Sequence, residues 1–191
     1  MEDFYLQAIA GAKSFIEARD TETLLTEEFS NEIHSRTILI APTIDKDNID
    51  VRIDNEVTNF NNVPPGISFT PGEKMDYASF GIPIIGNKYI FIERFKYMIQ
   101  NNPHIYRIVD DIFYIREYSE SSLINNDPAI GAVKSSAIQK VNNIISSLKE
   151  LEKDINIFNQ DKLSEAIKNM VKAEVEKRKQ KDDAIQKLKL F

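Results

Sequence analysis

Five acidic residues crowd into one short stretch: Asp45, Asp47, Asp50, Asp54 and Glu56. Carboxylates at such spacing can hold a divalent cation. Asp45, Asp47 and Glu56 fall at positions 1, 3 and 12 of the calcium-binding loop of an EF-hand. Position 5 is Ile49 and position 6 is Asp50, where that loop needs a ligand and a turn glycine. The flanks also read as strand and not helix, so the favoured reading is a solvated strand face and turn. A second constellation joins Asp50 or Asp54 to Glu93 and Lys96. A metal-dependent nuclease needs paired carboxylates and a lysine, so that metal and attacking water are held against phosphate. The usual form leaves one residue between acid and lysine, and Glu93-Arg94-Phe95-Lys96 leaves two. That nuclease is the alternative reading, and a conventional exposed ion pair is the favoured one.

Other chemistry finds less support. His34 and His104 are far apart and lack a recognisable partner, so each reads as a packing or surface residue. The chain has no cysteine, which excludes disulfides, thiolate zinc sites and cysteine nucleophiles. It has no phosphate-binding glycine loop, no nucleophile elbow and no H-E-x-x-H. The basic stretch Lys177-Arg178-Lys179-Gln180-Lys181 has no interleaved aromatics and runs straight into Asp182-Asp183. It reads as a solvated helix face, and nucleic acid is not the expected partner. No cofactor is expected.

The elements that must carry these residues follow from periodicity. Residues 3–19 read as an amphipathic helix, and Asp20-Thr21 as the cap of a second helix running to Ile33. Residues 37–40 read as a buried strand stopped by Pro42. Residues 49–54 alternate strictly and read as a half-exposed strand with Ile49, Val51 and Ile53 inward. Residues 55–87 carry Pro64-Pro65-Gly66, Pro71-Gly72 and Gly81 and read as a long loop region, with a short strand at 67–69. Residues 88–100 fit strand at the start and helix at the end. Residues 105–118 read as β, turned at Asp110-Asp111. Asp127-Pro128 is a helix start, with a capping aspartate and proline at the first helical position.

From Ala132 to Phe191 there is no glycine or proline. Within this helical stretch Ala137, Val141, Ile144, Leu148, Leu151, Ile155 and Phe158 form a heptad seam, widened by Ile138, Ile145 and Ile157. Val141 to Phe158 is the expected interaction face, with two open destinations: the chain's own body or another chain. Polar Asn159-Gln160-Asp161 interrupts the seam, giving either a helical hairpin or one helix with a flaw in its heptad. The apolar end, Ile185 to Phe191, is expected to dock somewhere.

Charge is uneven. Residues 1–131 carry a net −10 and residues 132–191 a net +4, within a total of −6. With 42% hydrophobic residues the chain can bury a core. The acidic start and the lack of a long apolar run give no expectation of a signal peptide or membrane span.

Pro71-Gly72-Glu73-Lys74 followed by Phe80-Gly81 resembles the G-[ES]-[RK] and F-G pattern of the lysozyme-related baseplate wedge family of contractile phage tails. Asn102-Pro103-His104-Ile105 sits where that family has an E-P-R-I motif before a strand. His104 replaces the arginine and Asn102 the glutamate. The resemblance covers about residues 50–118 and implies a baseplate or sheath-initiating structural role.

The expected fold is α+β: two N-terminal helices, a small mixed or antiparallel sheet with long loops, and a long C-terminal helix or helical hairpin. The expected division is a body over residues 1–127 and a helical region over 128–191. The expected function is that of a non-enzymatic assembly protein in the cytoplasm or a phage virion (tail, baseplate or neck). It would bind other protein subunits, as a homo- or hetero-oligomer, through its C-terminal helices and loops, without a membrane. A small acidic regulatory or inhibitor protein is a further alternative.

Overall fold

The computed structural model describes residues 1–189, and its fold is α+β. Its elements are α1 (Glu2–Glu17), α2 (Thr21–Leu24), α3 (Glu27–Thr37), β1 (Thr43–Ile44), β2 (Asp50–Val57), β3 (Lys74–Ile85), α4 (Lys88–Asn101), β4 (Tyr106–Val109), β5 (Ile112–Tyr118), α5 (Asp127–Ile157) and α6 (Ser164–Leu188). A π-helical turn, Phe158–Leu163, joins α5 to α6. The chain forms two compact units, Ala41–Leu151 and Met1–Ile40 with the chain from Glu152 on. The N-terminal helices therefore group with the C-terminal helix, and the expected boundary at 127/128 falls inside the sheet-bearing unit.

In the helical unit, Ala8, Ala12 and Ile16 of α1 form one core with Phe29, Ile33, Phe158, Leu163 and Ile167. Tyr5 stacks on Phe158 with ring centroids 4.2 Å apart. The expected second helix is two segments. Asp20 caps α2 by accepting from the Thr23 N–H, and Thr26 caps α3 by accepting from the Phe29 N–H. Residues 37–40 form no strand. Thr37 closes α3, its hydroxyl donating to the Ile33 carbonyl. The Leu39 backbone instead finds both its partners in one side chain: Asn159 Oδ1 accepts from its N–H at 3.0 Å, and Asn159 Nδ2 donates to its carbonyl at 2.8 Å. A β-ladder is not needed where an amide side chain satisfies the same groups.

No hairpin forms at Asn159–Asp161. The helix runs on, and the flaw is the π turn. One extra residue per turn carries Asn159 inward, where it is 8% exposed. Its carbonyl accepts from the Ser164 hydroxyl at 3.0 Å and lies 3.1 Å from His34 Nε2.

In the sheet unit, β3 is central and every pairing is antiparallel. One edge of β3 pairs with β5, which pairs with β4. Its other edge pairs with β2 over Lys74–Gly81 and with β1 at Ile84–Ile85. This twelve-residue strand occupies much of the expected loop, because Gly81 and Pro83 within it read as breakers. Both have a physical reason. A Cβ on Gly81 would lie 3.0 Å from Tyr114 Cε1. Pro83 sits where the neighbour changes from β2 to β1, so its missing N–H costs no ladder bond, and its carbonyl accepts from Asp45 N–H. Residues 67–69 form no strand.

Asn87 decides residues 88–101 in favour of helix, its side chain accepting from the Tyr89 and Ile90 N–H groups. Helix α4 and the first part of α5 cover one face of the sheet. Phe91 packs against Phe113 at 5.3 Å, and Ala129 and Val133 pack with Ala78, Phe80 and Leu123. On the opposite face the loop after β2 folds back, so that Val63, Ile67 and Phe69 pack on Met75, Tyr77 and Tyr118. Asp110, at φ +56°, makes the expected turn between β4 and β5.

Candidate interaction surface

Within α5 and the π turn, Ile144, Leu148, Leu151, Ile155 and Phe158 are between 1% and 5% exposed, and Val141 is partly buried. The seam is core of this chain. Burial within the chain is one of the two destinations left open for this face. Ile138 and Ile157, expected to widen the stripe, are about half exposed. At the chain's end Ile185 and Leu188 are exposed, and Leu190 and Phe191, expected to dock with them, lie outside the described residues.

The acidic stretch is spread along a turn and a strand. Asp45 accepts from the Asp47 N–H and from Asn48 Nδ2, which builds the turn before β2. Glu56, on β2, accepts from the Tyr118 hydroxyl at 2.6 Å and pairs with Arg116 at 3.7 Å. The EF-hand positions are thus not brought together. Among the described residues no group of three or more His, Cys, Asp or Glu is placed to hold a metal ion. Nor is the nuclease constellation assembled. Asp50 and Asp54 lie opposite Gly81 and Tyr77, on the face that carries Tyr114 and Tyr118. Glu93 and Lys96 belong to α4, which packs on the other face through Phe113.

His34 is used in packing, beside the Asn159 carbonyl. His104 lies in the short connection between α4 and β4. The basic stretch is partly committed as well. Arg178 donates to the carbonyls of Glu17 and Arg19 at the end of α1, and Arg178 and Lys177 both bind Glu174. Those hydrogen bonds hold the Glu174 carboxyl below its ordinary pKa.

A cleft of about 540 Å³ opens between the end of β5, the loop at Pro64–Ile67 and α5. Two charges in its lining, Lys140 and Glu117, pair with each other. Lys140 Nζ lies 2.6 Å from Glu117 Oε1, and the Ser136 hydroxyl donates to Glu117 Oε2 at 3.0 Å. Both oxygens of this buried carboxylate are satisfied.

Burial raises the Tyr118 hydroxyl to about pH 12, aided by its hydrogen bond to Glu56. The folded chain therefore holds this proton more tightly than the unfolded one does. The resulting stability is present below about pH 10 and is lost as pH rises toward 12. The denaturant midpoint should fall over that window, and Tyr118→Phe should flatten the fall. Equal slopes in the two proteins would contradict this assignment.

What the sheet leaves uncovered is β2. Its Val51, Ile53 and Val57 are each 53% exposed, although they lie on the face that carries the helices. The helices stop over β3, so the strand expected to be half buried is open on both faces. Among the described residues no strand lies beside its outer edge. Phe60, just beyond its end, is 82% exposed and touches Phe69 edge-on. The alternation of residues 49–54 was visible in the sequence. That its apolar side would lie open was not, because this depends on where α5 crosses the sheet. No helix among the described residues is long and apolar enough to cross a membrane. No protein-family model matches the chain, and no curated protein or solved structure matches it.

Proposed function

We propose that this chain is a non-enzymatic assembly protein that binds other protein subunits through strand β2 and the loop that follows it. One observation carries the reading: an eight-residue edge strand with three exposed aliphatic side chains and, among the described residues, no strand on its outer side. Folded proteins usually blunt such edges with lysine, proline or a covering segment, because an open ladder recruits another chain. Main-chain hydrogen bonding along an edge is a recurrent mode of protein recognition. The resemblance of residues 71–74, 80–81 and 102–105 to baseplate wedge proteins points to the same class, a component of a phage tail, baseplate or neck. The contact surface differs from the helical seam that the heptad suggests.

The test is crosslinking of the chain at its natural level in its own source. It should be trapped with protein subunits through residues 50–60. A double variant, Val51→Lys with Ile53→Lys, should lose those links while keeping its unfolding midpoint. A chain trapped only as monomer contradicts the reading. So does cleavage of DNA or RNA with Mg²⁺ or Mn²⁺ that disappears in Glu93→Gln.

A further inference from the structure

We propose that the cleft beside β5 is a slot for an extended, uncharged, aliphatic segment of another protein subunit, which hydrogen-bonds to the open edge of β5 at Arg116 and Tyr118. This contact goes beyond the one on β2 and does not depend on it.

The open edge follows from the ladder. Strand β4 pairs with β5 only over Ile112–Ile115. The Arg116 N–H still donates to the Ile105 carbonyl at 2.8 Å. The Ile105 N–H turns back to the Asn102 carbonyl, which leaves the Arg116 carbonyl without its return bond. On the other side of β5, the Ser119 N–H donates to the Asp76 carbonyl of β3 at 3.0 Å. Alternation then points the N–H and C=O of Tyr118 away from β3, into the lane that β4 fills further along. Among the described residues neither group has a partner, and nor does the Arg116 carbonyl. An acceptor, a donor and a second acceptor therefore stand in a row on the cleft wall, as one strand presents them to the next. Tyr118 is 8% exposed, and backbone groups at such burial are nearly always paired.

The walls fit a strand. Both covers of the sheet overhang this lane: Ala129, Ala132 and Val133 of α5 on the helix side, and Pro64, Pro65 and Ile67 on the opposite side. A strand covered on both faces carries apolar side chains on both. The two alanines leave room for branched ones. Charge argues against other occupants. The lining holds two cations and two anions, Arg116, Lys140, Glu117 and Glu120. Lys140 pairs with Glu117, Arg116 faces Glu56 at 3.7 Å, and Glu120 accepts from the Ser68 N–H. Neither cation is free for a phosphate or a carboxylate, so a neutral segment is the complement.

The probe is a pool of capped hexapeptides built only from Val, Ile, Ala and Thr, read by amide exchange of the full chain. The Tyr118 amide should exchange at least about tenfold more slowly with the pool than without it, because a paired N–H exchanges only when the pair opens. For the tightest peptide, N-methylation of every second amide should weaken binding about tenfold or more in one phase and little in the other, since only alternate N–H groups face β5. Ala132→Trp, at an exposed position of α5, should fill the slot and abolish binding without lowering the unfolding midpoint. Val51→Lys with Ile53→Lys should leave binding unchanged, which separates this site from β2. A Tyr118 amide already protected before peptide is added, or unmoved by the pool, overturns the proposal. So do equal effects of the two N-methyl series, and so does binding lost in the β2 double variant. The β2 reading fails separately, by its own crosslinking and cleavage results.

Discussion

Phe158→Ala is expected to lower the unfolding free energy by about 3–5 kcal/mol, the range for deleting a buried aromatic ring. Phe158 is 3% exposed in a core with Ala8, Ala12, Ile16 and Leu163, and its ring stacks on Tyr5. Removal forfeits the transfer energy of the ring, leaves a cavity the helices fill only in part, and ends the aromatic pair. Concentration gives the prediction its force. If Phe158 belonged to a seam between chains, its loss would act on association, and the midpoint would depend on protein concentration. Within one chain the loss is the same at every dilution. Chemical denaturation of wild type and variant over a hundredfold range of concentration reads the difference. A midpoint gap that shrinks on dilution would contradict the assignment.

Asn159→Ala should cost about 2–4 kcal/mol, because it strips partners from two backbone groups at once. The Leu39 N–H and C=O both depend on the Asn159 amide, in a segment that has left α3 and joins no sheet. Asn159→Asp separates the two contacts. Its carboxylate still accepts from the Leu39 N–H and sets a second oxygen against the Leu39 carbonyl. It should be at least as damaging as alanine near neutral pH and should recover on acidification, as the carboxyl protonates and can donate. Amide exchange at Leu39 is the local readout: it should accelerate in both variants. An unchanged Leu39 amide would show that the π turn does not hold this segment.

Much of the fold was legible because it is local. Asp20 marks a helix start by its own chemistry, Asp127-Pro128 falls at the start of α5 although Asn126 and not Asp127 accepts from the Ala129 N–H, and Asp110-Asp111 marks the turn between β4 and β5. The seam was also legible as an apolar face, but its destination was not. Periodicity says which side of a helix avoids water and is silent on whose atoms exclude it. The central strand was hidden for a related reason. Gly81 and Pro83 break strands on average, and only the tertiary context supplies Tyr114 and the gap between β2 and β1 that make them fit. Residues 37–40 fail in the opposite sense, being β-prone locally yet satisfied by an asparagine far along the chain. The candidate surface shows the same limit. Alternation in β2 reads as half-buried strand, and its exposure depends on where the helices over β3 end.

Amide hydrogen exchange, compared between the isolated chain and the chain recovered with its bound protein subunits, tests the central claim most directly, since it reads β2 and the α5 seam in one sample. The account predicts that the amides of Val51 and Ile53 exchange freely in the isolated chain and are protected in the recovered assembly. Amides of Ile144 to Phe158 should be equally protected in both. Protection gained by the seam in the assembly, with β2 unchanged, would contradict it.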